Sequence, residues 1–300
     1  MYVIAGATGQ TGSMVAESLL SDGKAVTVIV RSDEKGERWR AKGAQAAIGS
    51  LEDTAGLTRI LANAEGAYLM VPPDYRATDF SSNQKHIVDA LAKAVSESGI
   101  AHVVFLSSVG AHLNSGTGPI LALHYAESIL STAAKSLTLL RPAYFLENWA
   151  PVVGVAVQSG ILPSFLTPNR KIPMIATKDI GRLAAEALAA PPRGQHVIEL
   201  TGPEDYCPDD IAAILTSILN REVRVKAVPL SAAVPTFTQA GFSESVAQLF
   251  EEMYAGINSG HIAFEHEQRE GIEFREGTVN AAEVLKELLS RSERAQAESA

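Results

Sequence analysis

Through its first half the chain alternates short apolar runs with longer stretches of amphipathic periodicity, and this alternation is its strongest structural signal. An apolar run opens the chain and gives way to a helix-compatible stretch over 13–20. Residues 25–31, apolar and β-branched, read as a second buried strand, and 44–49 as a weaker third. Thr54 caps a short helix to Leu61, and the strand at 66–71 is stopped by Pro72 and Pro73. A helix over 80–98 ends at Gly99, a glycine placed to leave the right-handed helical region. A strand at 102–107, a helix at 119–134 and a strand at 137–141 complete the alternation. Strands separated by helices pair in parallel, and both faces of the resulting sheet are covered.

Beyond Trp149 the rhythm changes. Prolines stand at 151, 163, 168 and 173, and the alternation becomes irregular. A helix at 179–190 and a strand at 196–200 return to the main sheet, while helices at 208–219 and 243–255 belong to a smaller lobe. Thr278 caps a last amphipathic helix over 279–289. The expected organisation is therefore a dinucleotide-type domain over 1–150, a smaller α/β lobe over 151–290 on the substrate side, and a polar tail over 291–300 that frays.

The junction between the first strand and helix carries the chemistry. Gly6-Ala7-Thr8-Gly9-Gln10-Thr11-Gly12 spaces three glycines G-x-x-G-x-x-G. A buried strand delivers the chain to a tight turn, glycine admits a pyrophosphate without a Cβ in the way, and the helix offers free N–H groups at its positive end. The fold class that follows is α/β, a doubly wound Rossmann-type parallel sheet with a smaller C-terminal lobe. At the tip of the second strand an acid would bind the 2′-hydroxyl of NAD, whereas an arginine suits the 2′-phosphate of NADP. Arg31 holds that position with Lys35 nearby, so NADP(H) is expected over NAD(H).

Composition adds exclusions. The 300 residues are 46% hydrophobic, enough for a sizeable core, and carry a net charge of −9 without a basic block. That excludes a broad nucleic-acid or anionic-membrane surface, though not a small phosphate pocket. The single Cys207 excludes an internal disulfide and a multi-cysteine zinc site and fits a reducing cytoplasm, the expected location. No signal peptide or membrane-spanning run is visible, and neither His102 nor His112 has ligand-like partners, so no metal is expected.

The glycine turn resembles the GATGxxG turn of atypical short-chain dehydrogenase/reductases. Leu140-Arg141-Pro142-Ala143-Tyr144-Phe145-Leu146-Glu147-Asn148-Trp149 is similar to the LRPxxFxEN segment of their NmrA-like branch, and the likeness extends to Phe274-Arg275-Glu276-Gly277-Thr278 before the last helix. The resemblance implies an NADPH-dependent reductase of a small quinone-like, azo-like or dye-like acceptor. The branch also contains a redox-sensing regulator that binds cofactor and a protein partner without turnover. The chain departs from the wider group's Tyr-x-x-x-Lys pair, in which the lysine lowers the tyrosine pKa: four residues after Tyr125 stands Ile129. That counts against alcohol or ketone chemistry and against a sugar-nucleotide epimerase. Reduction of a conjugated acceptor needs less, since protons can come from water.

Carboxyl ends of strands are where open α/β sheets place ligands. Ser107 and Ser108 end the fifth strand there, and Val71, Pro72 and Pro73 end the fourth, shaping the trench along the cofactor. Tyr144, Phe145, Asn148 and Trp149 follow the sixth strand: Tyr144 beside the nicotinamide, the other three towards a flat acceptor. His124, on the helix expected to face the nicotinamide, is the candidate proton donor.

Overall fold

Tyr2–Ile4 forms β1, buried at every position, and the glycine turn hands the chain to α1 (Gln10–Ser21). The computed structural model describes residues 1–266 and 269–298. Next come β2 (Val26–Val30), α2 (Asp33–Arg40), β3 (Gln45–Ile48), α3 (Thr54–Leu61), β4 (Gly66–Leu69), α4 (Phe80–Ser98) and β5 (Val103–Leu106). A short 3-10 turn leads into α5 (Leu121–Ala133), and β6 (Leu137–Pro142) follows. The second half runs β7 (Tyr144–Phe145), α6 (Ala150–Ser159), β8 (Ile161–Ser164), β9 (Ile172–Ile175), α7 (Thr177–Ala189), β10 (Gln195–Thr201) and β11 (Asp205–Tyr206). It closes with α8 (Pro208–Leu219), β12 (Arg224–Ala227), α9 (Ala233–Gln239), α10 (Glu244–Ser259), β13 (Glu273–Glu276) and α11 (Ala281–Glu298).

Eight strands form one sheet in the order β13-β10-β6-β5-β4-β1-β2-β3, and every pairing in it is parallel. This is the doubly wound α/β sheet that the alternation predicts. Apolar residues of α1, α2 and α7, among them Val15, Leu19, Trp39, Ile180 and Leu183, bury one face. Residues of α3, α4 and α5, such as Leu57, Leu91 and Leu130, bury the other. The order reverses between β1 and β4, so their carboxyl ends diverge and leave a crevice at the switch point.

A third core defines the smaller lobe, where Trp149 and Val153 of the α6 region meet Leu162, Met174, Ile211, Leu215 and Leu285. Where the prolines promise irregular chain, two small sheets form: β12 beside β8, and β11-β9-β7. The lobe is not a separate stretch of chain. α7 and β10 pass back through the main sheet, and so does β13, before α11 returns to the lobe. α7 lies directly on α1, with Gly181 against Met14 so closely that any side chain at 181 would collide with it.

Two helix caps differ from expectation. Asp53 rather than Thr54 caps α3, its Oδ1 accepting from Gly56 N at 3.0 Å. Thr278 caps nothing: its N–H and that of Val279 each donate to the buried Asp179 carboxylate at 2.8 Å. α11 begins three residues later, behind Asn280, whose Oδ1 accepts from Glu283 N at 3.0 Å. It also runs past Leu289 to Glu298, and the last two residues of the expected tail, 299 and 300, lie outside the described residues. Gly99 ends α4 at φ +68° as anticipated.

Candidate active site

The glycine turn is built as its spacing requires, each glycine for its own reason. Gly6 has φ +67°, a left-handed conformation that lets the chain double back after β1, with Gly9 N donating to Gly6 O at 2.8 Å. Gly9 precedes α1 with no side chain capping the helix, so the N–H groups of its first turn point into the crevice uncovered. At Gly12 a Cβ would lie 2.5 Å from the Gly6 carbonyl, so only glycine lets α1 pack this close to the turn. Behind it the buried Tyr68 phenol donates to Thr11 Oγ1 at 3.0 Å, pinning the helix start to β4.

From this turn a cavity of about 750 Å³ opens along the carboxyl edge of the sheet into the smaller lobe. Gly6, Gly9, Gln10 and Thr11 form one end. Val71, Pro73, Ser107 and Ser108 line the middle, and Tyr144, Phe145 and Asn148 the far end. Most of the expected set is thus brought together on one wall. Ala7, Thr8, Gly12 and Pro72 belong to the turn or trench without facing the cavity; Pro72 instead accepts from Gln84 Nε2 at 3.1 Å through its carbonyl. Arg31 and Lys35 stand exposed beyond the tip of β2, outside the cavity wall, and neither forms an ion pair among the described residues.

Two expected site residues are placed elsewhere. Trp149 is packed into the core of the smaller lobe, behind the cavity wall rather than on it, because the 3-10 turn after β7 rotates it inward. The His124 ring turns to the Ala111 carbonyl, with Nδ1 at 2.8 Å, and is not part of the wall. Tyr125 is also off the site: its phenol donates to Asp89 Oδ1 at 2.7 Å, and that bond to a carboxylate pushes its pKa up, the reverse of what a proton-transferring tyrosine needs.

The residues missed by sequence reasoning fall into two groups. The first roofs the cavity. Tyr75, after β4, stacks on Phe242 at 4.6 Å between ring centroids and meets Phe250 of α10 edge-on at 5.7 Å. Ser243 ties the same loop down, its N–H donating to Tyr75 O at 2.9 Å and its hydroxyl to Ala77 O at 2.7 Å. Ile262, Ala263 and Phe264 also line the cavity. Burial pushes the Tyr75, Tyr144 and Tyr254 phenols up, Tyr144 furthest because Tyr254 lies against it, so all three are neutral hydrogen-bonding groups at physiological pH.

The second group is a buried charge network beneath the cavity floor. Ser107 Oγ donates to Glu127 Oε1 at 2.5 Å. Arg141 grips both oxygens of Glu127, Nε at 2.9 Å and Nη2 at 2.6 Å, and its third nitrogen pairs with Glu265. Arg141 is 3% and Glu127 7% exposed, a degree of burial that such charges tolerate only when paired. Glu199, fully buried in the next strand, accepts from Glu265 N at 2.8 Å and from the His266 backbone and ring at 3.0 and 2.7 Å. The segment bearing Ile262–Phe264 is thereby latched to two neighbouring strands. A signal for this was present: an arginine inside an apolar strand requires a buried acid, and Glu127 lies on the preceding helix.

No group of three or more histidine, cysteine or acidic side chains arranged to hold a metal occurs among the described residues. No described helix is long and apolar enough to cross a membrane.

The model of the NmrA-like family matches residues 2–284. Among curated proteins the chain is similar to the NAD(P)H azoreductase of Xenophilus azovorans, 26% identical over 259 residues that span 85% of this chain and 86% of that one. It is also similar to quinone oxidoreductase 2 of Escherichia coli (strain K12), 24% identical over 265 residues, 87% and 89% of the two chains. Among solved structures, an NADPH-dependent quinone oxidoreductase from Escherichia coli complexed with NADPH superposes with a TM-score of 0.78 at 23% identity, covering 96% of this chain and 100% of that one. The triphenylmethane reductase of Citrobacter sp. complexed with NADP(H) gives 0.78 at 18% identity, covering 96% and 99%. At these identities the solved structures speak for the fold.

Proposed function

This chain belongs to the NmrA-like family, and on that premise we propose that it is an NADPH-dependent reductase of small, flat, conjugated acceptors of the quinone or azo type. One observation carries the proposal: the glycine turn opens directly into a roofed, aromatic-lined cavity large enough for a nicotinamide and an acceptor together. A cofactor sensor that docks a protein partner would favour a flat, open surface there. The names of the two curated relatives support the same chemistry. The single cysteine, buried at position 207, suits a reducing cytoplasm as the place of work.

NADPH supplies a hydride and so two electrons when bound. The N–H groups of Gln10 and Thr11, behind the bare backbone of Gly9, hold the pyrophosphate, and Arg31 with Lys35 holds the 2′-phosphate. Val71, Ser107 and Ser108 flank the cofactor, and Tyr144, Phe145 and Asn148 hold the acceptor. The roof of Tyr75, Phe250 and Phe264 excludes water while the rings are stacked. Among the described residues no phenol with a lowered pKa faces the cavity, and the one proton that completes a hydride reduction would come from solvent.

NADPH oxidation measured against a panel of quinones, azo dyes and enones tests the proposal; tight NADPH binding with no turnover across the panel would overturn it in favour of the sensor. Two variants add detail. Arg31→Ala should weaken NADPH by roughly ten- to a hundredfold and leave NADH little changed, a charge-assisted phosphate contact being worth about 1.5–3 kcal/mol. Equal losses for both cofactors in a calorimetric titration would remove Arg31 from the site. Tyr125→Phe should change quinone turnover by less than about tenfold, well short of the 10²–10⁴ of a general acid. A larger fall in steady-state rate would restore the tyrosine to catalysis.

A further inference from the structure

We propose that the acceptor end of the cavity selects conjugated acceptors that carry an anionic substituent, a sulfonate or carboxylate, and that Arg170 is its counter-ion. The inference rests on the reductase reading above and adds a charge preference to it. The cavity wall carries formal charge at two positions only among the described residues, Arg170 and Lys171, and no carboxylate faces it. This is unexpected in a chain whose net charge is −9. The rest of the wall is aliphatic, aromatic or neutral and polar, so the field inside it is set by these two cations.

The two are not equivalent. Lys171 Nζ stands 3.7 Å from Asp210 Oδ2, an oxygen that also accepts from Cys207 N at 3.0 Å, so its charge is largely answered within the lobe. Arg170 makes no ion pair and no side-chain hydrogen bond among the described residues, although a guanidinium offers five donors. Arg170 is exposed, and its backbone is held. Arg170 N donates to Thr167 O at 3.2 Å, and Thr167 N to Asn258 Oδ1 at 2.9 Å, which ties the loop to α10. The guanidinium reaches over Gly260, the left-handed residue at φ +82° that ends α10. It lines the cavity while reaching solvent, and it is not used to bond the last carbonyls of the helix.

The place also matters. Arg170 leads into β9, and β9 pairs with β7, the strand of Tyr144 and Phe145. It therefore stands beside the acceptor wall, across the cavity from the glycine turn, while Arg31 lies outside that wall beyond β2. A planar acceptor lying on Tyr144 with its ring towards Ser108 would direct a substituent at the guanidinium, whose planar fork matches a carboxylate or sulfonate better than an ammonium does.

The test compares 1,2-naphthoquinone with 1,2-naphthoquinone-4-sulfonate in the full chain with saturating NADPH. The readout is the ratio of kcat/KM for the sulfonate to that for the neutral quinone, which cancels the intrinsic reactivity of each when variants are compared. Arg170→Gln should lower this ratio about tenfold, mainly through the KM of the sulfonate, and Arg170→Lys should recover part of it. Raising ionic strength should lower the parent's ratio and leave that of Arg170→Gln nearly flat. An unchanged ratio in Arg170→Gln, with a melting temperature like the parent's, overturns the inference while the reductase reading stands. Absence of turnover with both quinones counts against the reductase reading alone. In that event calorimetry with 2-naphthalenesulfonate on the NADPH-saturated protein decides the anion site: binding by the parent that weakens about tenfold in Arg170→Gln supports it, and equal or absent binding overturns it.

Discussion

Replacement of Gly9 by valine is expected to lower NADPH affinity by more than about a hundredfold and leave the fold intact. The backbone at Gly9, φ −98° and ψ −174°, is extended and open to any residue. A Cβ there would meet only the Gly6 carbonyl oxygen, at 3.3 Å, a tight contact that asks the turn to give by a few tenths of an ångström. The larger cost falls on the ligand. The valine branches would stand where the pyrophosphate must approach the N–H groups of Gln10 and Thr11. Losing two charge-assisted bonds of about 1.5–3 kcal/mol each corresponds to a hundredfold or more. Isothermal titration together with a melting curve reads both halves of the prediction. Gly12→Val is the contrasting control, since a Cβ 2.5 Å from the Gly6 backbone damages the turn itself and should lower the melting temperature as well. Parent-like NADPH affinity in Gly9→Val would show that the pyrophosphate lies elsewhere.

Arg141→Met is expected to destabilise the fold by about 3–5 kcal/mol, the usual consequence of leaving a buried carboxylate without its partner. Here that carboxylate is Glu127, left with only the Ser107 hydroxyl, while Glu265 loses one of its two arginines and keeps Arg269. Adding Glu127→Gln to Arg141→Met should return part of the loss, because the orphaned charge is then gone. The network also sets a pH signature. Burial draws the Glu265 pKa up, but Arg141 and Arg269 together hold it below the ordinary value. A carboxyl depressed in this way stabilises the fold fully above its unfolded pKa, about 4.3, and the contribution disappears as pH falls through the lower folded value. The parent should therefore lose stability steeply in acid, and Arg141→Met should have the shallower acid limb in chemical denaturation. Equal stability of parent and variant at neutral pH would refute the account.

The central strands were legible because they are buried on both faces and read as apolar runs, whereas the half-exposed edges gave a weak signal at β3 and none at β13; the turn was legible because Gly6, Gly9 and Gly12 each have a single physical reason to be glycine. Less visible were pairings that depend on distant chain. Nothing local distinguishes Asp53 from Thr54 as a cap, and Asp179 outcompeted Thr278 for the backbone near α11 from a hundred positions away. The same applies at the site. Of the LRPxxFxEN-like run, Tyr144, Phe145 and Asn148 line the cavity, while the turn after β7 sends Trp149 into the lobe core. Tyr75 and Phe264 stand in segments without periodicity and Phe250 on the predicted helix over 243–255, and their convergence is a tertiary fact. Glu127 stands beside Tyr125 on a helix, where nothing local sets a buried acid apart from a solvated one.

The path of the chain has a consequence for how this protein is made. α1, whose first turn forms one end of the cavity, packs against α7, and Asp179 at the start of α7 accepts from the N–H groups of Thr278 and Val279 as well as from Arg182 of its own helix. A chain held after β6 would therefore leave the glycine turn without the helix that backs it, and the apolar face of α1 would stand open to chaperones. The turn becomes a complete binding surface only with chain that is made well after the turn itself.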